Sequence, residues 1–159
     1  MKVKDYTLLY IGSLLAMFIG LEACQKNRTF DHYEHTQLSG WERNDTLLFD
    51  IPPQKAGTYE LNIGIRATQT FPYKSVCLII ERTVFPNMET RKEIVRCPII
   101  DDYGLLIGKN GISNSELSYH LADITLQEHD SMHIKLHHCM RRETLPGISE
   151  IGIQLIKQN

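Results

Sequence analysis

The chain has 159 residues, a formal net charge of −2 and 42% hydrophobic residues. That balance carries no basic field to gather a polyanion, so nucleic acid is not an expected partner. The length fits one globular domain with a core of its own, and it needs no framework of disulfides to fold.

The first segment is an export signal. Lys2 and Lys4 form a short basic start, and residues 7–21 are an apolar run of 15 residues (TLLYIGSLLAMFIGL). A bilayer span needs roughly 20, so the run suits a signal-peptide core better than an anchor helix. It ends in Leu21-Glu22-Ala23-Cys24. This resembles the lipobox of bacterial lipoproteins, with Leu three before the cysteine and a small residue just before it. Glu22 departs from the usual small or β-branched residue at its position. The resemblance implies a signal peptide over residues 1–23, cleavage before Cys24, and diacylglyceride on the Cys24 thiol. Two or more acyl chains make such attachment stable. Gln25-Lys26-Asn27 follow, with no Asp directly after the cysteine and no acidic run. The expected place is the outer membrane, facing the periplasm.

Residues 24–37 are polar and lack apolar periodicity, and they read as a lipidated flexible tether. The domain is expected over residues 38–159. From Leu47 the apolar period is two. Leu47, Phe49 and Ile51 alternate with Leu48 and Asp50, and Pro52-Pro53 stops that strand. Residues 58–67 are the clearest strand. Tyr59, Leu61, Ile63, Ile65 and Ala67 face one way, and Thr58, Glu60, Asn62, Gly64 and Arg66 the other, as in a half-buried antiparallel strand. Residues 75–84 are more continuously apolar, like a central strand. Pro86-Asn87 marks a turn, and residues 92–100 are a β-branched run. Asp101-Asp102-Tyr103-Gly104 and Gly108-Lys109-Asn110-Gly111 carry turn chemistry, the second with the look of a hairpin. Residues 116–126 make a weaker strand, residues 131–139 alternate again, and Ile151, Ile153 and Leu155 close the chain. Seven or eight short strands without a helix predict an all-β fold: a single antiparallel β-sandwich of jelly-roll type.

Three cysteines remain after Cys24: Cys77, Cys97 and Cys139. In an oxidising compartment one pair can close and leave one thiol free. The apolar runs around Cys77 and Cys97 favour the other reading, in which the thiols are buried and act as small hydrophobes.

The seven histidines do not make a metal site at this level. His32 and His35 sit three apart in the tether, where no helix brings them to one face. His133 and His137 are separated by about 13 Å along a strand, and His137, His138 and Cys139 alternate faces. A zinc site needs three or four converging ligands. No metal, cofactor or catalytic residue is assigned. No G-x-S-x-G elbow occurs, and Asp101-Asp102 stand where a turn favours Asp for backbone reasons. Trp41, the sole tryptophan, either caps an open end of the core or joins Tyr59 and Tyr73 in a sugar-stacking platform. Arg141 and Arg142, with Lys135 and His133, suggest a modest basic strip. With Trp41 they are the candidate interaction surface. Asp45-Thr46-Leu47 and Asp130-Ser131-Met132 resemble a short O-glycosylation acceptor, which makes Thr46 and Ser131 candidate sugar sites.

Three stretches together resemble the gliding motility lipoprotein GldH family. They are Ser39-Gly40-Trp41-Glu42-Arg43-Asn44-Asp45-Thr46-Leu47 with Phe49-Asp50-Ile51-Pro52-Pro53; Gly57-Thr58-Tyr59-Glu60-Leu61-Asn62-Ile63-Gly64-Ile65-Arg66 on to Phe71-Pro72-Tyr73; and Met140-Arg141-Arg142-Glu143-Thr144-Leu145-Pro146-Gly147-Ile148-Ser149-Glu150-Ile151-Gly152-Ile153. The resemblance implies a non-enzymatic, lipid-anchored accessory or scaffold component of an envelope machine. Its partners would be the membrane, through lipid on Cys24, and other lipoproteins that support gliding motility and type IX protein secretion. Two other readings stay open. One is a lipid-anchored carbohydrate-binding sandwich, which needs exposed aromatics. The other is a metal-dependent hydrolase, which needs three histidines within about 5 Å of one point.

Overall fold

The computed structural model describes residues 27–37, 39–111 and 114–159. The export signal and Cys24 lie outside the described residues. In chain order the strands are β1 (Arg28–His35), β2 (Trp41–Glu42), β3 (Leu47–Ile51), β4 (Gly57–Ala67), β5 (Ser75–Phe85), β6 (Glu89–Pro98), β7 (Lys109–Asn110), β8 (Ser115–Leu126), β9 (Ser131–His138), β10 (Thr144–Leu145) and β11 (Ile148–Lys157). They form a five-stranded sheet in the order β1-β11-β4-β8-β7, a four-stranded sheet in the order β3-β9-β5-β6, and a small β10-β2 pair. Every pairing is antiparallel. Leaving out the three two-residue strands, successive strands switch sheets except at the β5–β6 hairpin, which is the jelly-roll order.

Alternation places the core between the sheets. Tyr59, Leu61, Ile63, Ile65 and Ala67 of β4 face Leu78 and Ile80 of β5 and Ile134 and Leu136 of β9, all nearly inaccessible. Burying each large aliphatic side chain of this kind contributes about 1.5–3 kcal/mol. A β7–β8 hairpin is present near Gly108-Lys109-Asn110-Gly111, but Lys109 and Asn110 are its first strand, paired with Glu116 and Ser115, and not its turn.

The tether reading is corrected over most of its length. Residues 28–35 form β1, whose residues pair from Arg28 with Ile156 to His35 with Glu150. Phe30 reaches the core. On the outer face Tyr33 lies flat across Gly152 and Gly64, paired neighbours on β11 and β4. A Cβ at Gly152 would stand 2.7 Å from the ring, so glycine is what lets the aromatic cover the sheet. The Arg66 guanidinium sits 4.2 Å above the ring centroid and is ion-paired with Glu150 and Glu116. Burial, and then the Glu116 charge, push the Tyr33 phenol up to about 12.

The buried-thiol reading is also corrected. Cys77 and Cys139 form a disulfide, and among the described residues Cys97 is the one free thiol, buried. Pairing of β5 with β9 sets Leu78 opposite His138 and so brings the two cysteines, 62 residues apart in sequence, to the same end of the sheet.

Two outcomes follow for stability. Deleting residues 28–35 should cost more than about 3 kcal/mol in urea unfolding, because it strips Phe30 and Tyr33 from their sites and bares the β11 edge; a tether could be deleted without effect. Replacing Cys77 and Cys139 together by Ala should cost up to about 4 kcal/mol, the chain-entropy figure for a loop of this length. Calorimetry with and without reductant measures it.

Candidate interaction surface

The sandwich has two ends of different character. At the first, β1 begins, the β3–β4 and β8–β9 turns cross between the sheets, and β5 turns into β6. At the opposite end, which we call distal, lie Thr36–Trp41, the β4–β5 and β6–β7 loops, and the long loop after β9.

The distal loops are tied down from their backbone outward. Trp41 and Glu42 pair with Leu145 and Thr144. The Trp41 Nε1–H donates to the Asp45 carbonyl at 2.9 Å, and the Asp45 N–H donates to the Glu42 carbonyl at 3.0 Å. Arg43 donates from its backbone to the Glu143 carbonyl at 2.8 Å and from its guanidinium to the Arg141 carbonyl. Gly147 adopts φ +82° and presses on the Phe71 backbone, where no side chain fits. Its carbonyl accepts the Thr68 N–H at 2.8 Å. Phe71 in turn meets Tyr73 edge to face.

His138 is the pivot. It is fully buried, with its ring edge-on to Trp41 at 5.1 Å. Its Nε2 lies 3.1 Å from the Trp41 carbonyl. A carbonyl only accepts, so Nε2 carries the proton, and Nδ1 is left buried without a hydrogen bond. Burial, abetted by the Arg43 charge, lowers the His138 pKa against the opposing pull of the Trp41 carbonyl.

The sequence candidates divide accordingly. Trp41 has no exposed surface, so it caps the core and cannot form a sugar platform or an interaction surface. Tyr59 is buried as well. Arg141 and Arg142 are exposed, and among the described residues neither meets a carboxylate. The basic strip does not continue from them. Lys135 is paired with Glu81 at 3.8 Å and His133 with Asp50 at 2.6 Å, on the outer face of β9. Thr46 is exposed at the entry to β3, and Ser131 is half-buried after a buried Asp130 whose carboxylate accepts the Gln127 N–H at 2.8 Å.

Beside the arginines stands a small hairpin that sequence reasoning read only as a turn. Ile100 bridges Leu106, and the Asp101 carboxylate accepts the N–H groups of Tyr103 and Leu105, both at 2.9 Å. It lifts Tyr103 to 90% exposure and Leu105 to 63%. Two cavities open at this end, of about 590 Å³ among Thr36, Gln37, Thr68 and Thr70 and about 530 Å³ beside Ser39, Arg142 and Thr144. The surface therefore offers cationic, hydroxyl and apolar contacts on a rigid base.

Among the described residues no group of three or more His, Cys, Asp or Glu could hold a metal ion. Burial pushes the Cys97 thiol up to about 11, away from its reactive form.

These features define a class: a jelly-roll domain whose loops at one end are fixed for contact. A family model, GldH lipoprotein, matches residues 28–155, so nearly the whole described region is covered. The chain belongs to the GldH lipoprotein family, whose members are lipoproteins associated with gliding motility. No curated protein matches it. Among solved structures it is similar to the family GH115 4-O-methyl-α-glucuronidase BtGH115A, at 9% identity and TM-score 0.52, over 86% of this chain and 18% of that one. It is also similar to CBM35 from Cellvibrio japonicus Abf62 (13% identity, TM-score 0.37, 86% and 94% of the chains). A third is the Eiger TNF from S. frugiperda (11% identity, TM-score 0.33, 84% and 94%). The first likeness bears on the fold alone, and the other two carry no argument.

The buried imidazole sets a pH response. With its pKa below the ordinary 6.5, His138 stays neutral when folded while the unfolded chain takes up a proton. Stability should therefore be full above pH 6.5 and fall as the pH drops below it, with a His138→Gln variant losing that slope. Thermal melts from pH 8 to pH 5 read both.

Proposed function

We propose that this chain is a lipid-anchored, non-enzymatic scaffold of an envelope machine for gliding motility and type IX protein secretion, and that it meets its partners through the distal end. The observation that carries this reading is the family match over residues 28–155. Support comes from the lipobox at Cys24 and from the position of β1. Cys24 stands four residues before Arg28, a reach of at most about 14 Å. Lipid on Cys24 holds the first end of the sandwich against the bilayer and turns the distal loops away from it. With no Asp after Cys24, the outer membrane facing the periplasm is the proposed location. The carbohydrate-binding alternative loses its main warrant with the burial of Trp41.

The test is a tagged pull-down from gently solubilised membranes, with bound proteins identified by mass spectrometry. Motility or secretion lipoproteins should be recovered in near-stoichiometric amounts. An Arg141→Glu/Arg142→Glu double variant should lose that recovery by about tenfold, the effect of reversing exposed contact charges, with an unchanged Tm. Recovery of no such protein, or recovery indifferent to both substitutions, would count against the reading.

A further inference from the structure

The first end of the sandwich holds a cleft of about 350 Å³ that the scaffold reading does not use. It lies between the β5–β6 hairpin and the end of β8, with Val84 and Ile124 in its wall. Its unusual feature is Arg82. The inward positions of β5 run Val76, Leu78, Ile80 and then Arg82, a guanidinium only 7% exposed. Its Nη1 stands 3.2 Å from Glu93 Oε1, in an ion pair too oblique to make a hydrogen bond, and both atoms are buried without one. Of the Arg82 guanidinium nitrogens, Nη1 is the one both buried and without a hydrogen bond. A buried donor left without an acceptor is costly.

Arg91 lines the same cleft and stands directly opposite Arg82 in the β5–β6 ladder. Like charges facing each other across a ladder repel. Arg91 Nε and Nη2 both go to Glu89 Oε1, at 3.2 and 3.1 Å, which leaves the rest of its fork free. Two guanidinium forks around one space suit a tetrahedral oxyanion. The rim is acidic, however: Glu89, Asp123 and Asp130 line it as well, although the Asp123 carboxylate is taken by the Gln158 Nε2–H at 2.9 Å. A bare anion meets their repulsion, whereas a ligand with an amine beside its anionic group satisfies both signs. We propose that this cleft binds a phosphate-bearing zwitterion, with the phosphate at Arg82 and Arg91 and the ammonium toward Glu89 and Asp130.

Two sources share that chemistry: the headgroup of an ethanolamine phospholipid and a free phosphoamine. The cleft's position favours the lipid. Arg28, Ile156, Glu60 and Asp123 form one row across four strands, so Asp123 is about 14 Å from Arg28, where β1 begins. The lipid source rests on the anchoring reading, and the site itself does not.

The experiment is thermal unfolding of the full chain in dodecyl maltoside, with O-phosphoethanolamine, inorganic phosphate, glycine and dihexanoyl phosphatidylethanolamine as probes. O-phosphoethanolamine should raise Tm saturably, and inorganic phosphate and glycine should each do so less at equal concentration. Arg82→Met should abolish the shift. Arg91→Met, on an exposed edge strand, should weaken it about tenfold with the ligand-free Tm preserved. Protection by the short-chain lipid at lower concentration than by O-phosphoethanolamine assigns the headgroup, and equal potency assigns the free compound. The proposal is overturned if no probe raises Tm, if glycine matches O-phosphoethanolamine, or if the shift survives in both variants. Intact mass of the purified chain reports lipid on Cys24 separately, so a failure of anchoring is not mistaken for a failure of the cleft.

Discussion

The last strand of the chain lies between the first and the fourth, hydrogen-bonded to both. This insertion of β11 closes the five-stranded sheet, and most of what stands around it depends on it. It supplies Ile151, Ile153 and Leu155 to the core on one face. On the other it supplies Gly152, which with Gly64 makes room for Tyr33. Its pairing with β1 joins residues more than a hundred positions apart, so its loop-closure entropy is met only when nearly all the chain is available. Both termini of the described region meet there, with the Lys157 N–H donating to the Asn27 carbonyl at 2.7 Å.

Polar groups then give the two ends their separate identities. At the distal end Trp41, His138 and Arg43 turn three loop backbones into one rigid block, and the disulfide fastens the block to β5 and β9. What remains exposed there, Arg141, Arg142 and the Tyr103 hairpin, is held out by groups that are themselves fixed. At the first end the core's apolar rows give way to Arg82 and Glu93, whose burial lacks the hydrogen bonds that make the distal block coherent. Each end keeps buried groups without hydrogen bonds, Arg43 Nε and His138 Nδ1 at the distal end and Arg82 Nη1 and Glu93 Oε1 at the first.

The sequence was legible where a strand has one wet face and one dry face. Residues 58–67 were placed to within one residue of β4, and β3, β5, β8 and β9 followed by the same alternation. The start of β6 at Glu89 was not visible, since Glu89-Thr90-Arg91 are polar and precede the β-branched run that begins at Lys92. β1 escaped for a related reason. As an edge strand it turns Phe30, His32 and Glu34 inward, and only Phe30 is apolar, while its tight packing comes from Tyr33 on the outer face against glycines far along the chain. The Cys77–Cys139 pairing depends on the β5–β9 register, which local patterning does not encode. The candidate site was half legible. Arg141 and Arg142 could be found as adjacent cations in a turn-rich stretch, but Trp41 stood as cap or platform until its neighbours were known. Arg82 was read as part of a central strand, and nothing local separates a guanidinium that faces inward there from one that faces out.

The short leash into β1 has a mechanical consequence. A load applied at the distal loops and resisted by lipid at Cys24 would run along the axis of β1, parallel to its neighbour β11. Antiparallel strands pulled along their length are sheared, so all the rungs between Arg28–Ile156 and His35–Glu150 share the force at once rather than opening one by one. A flexible linker of the same residues would only have gone taut. Loaded in that way, the domain would respond as a stiff strut.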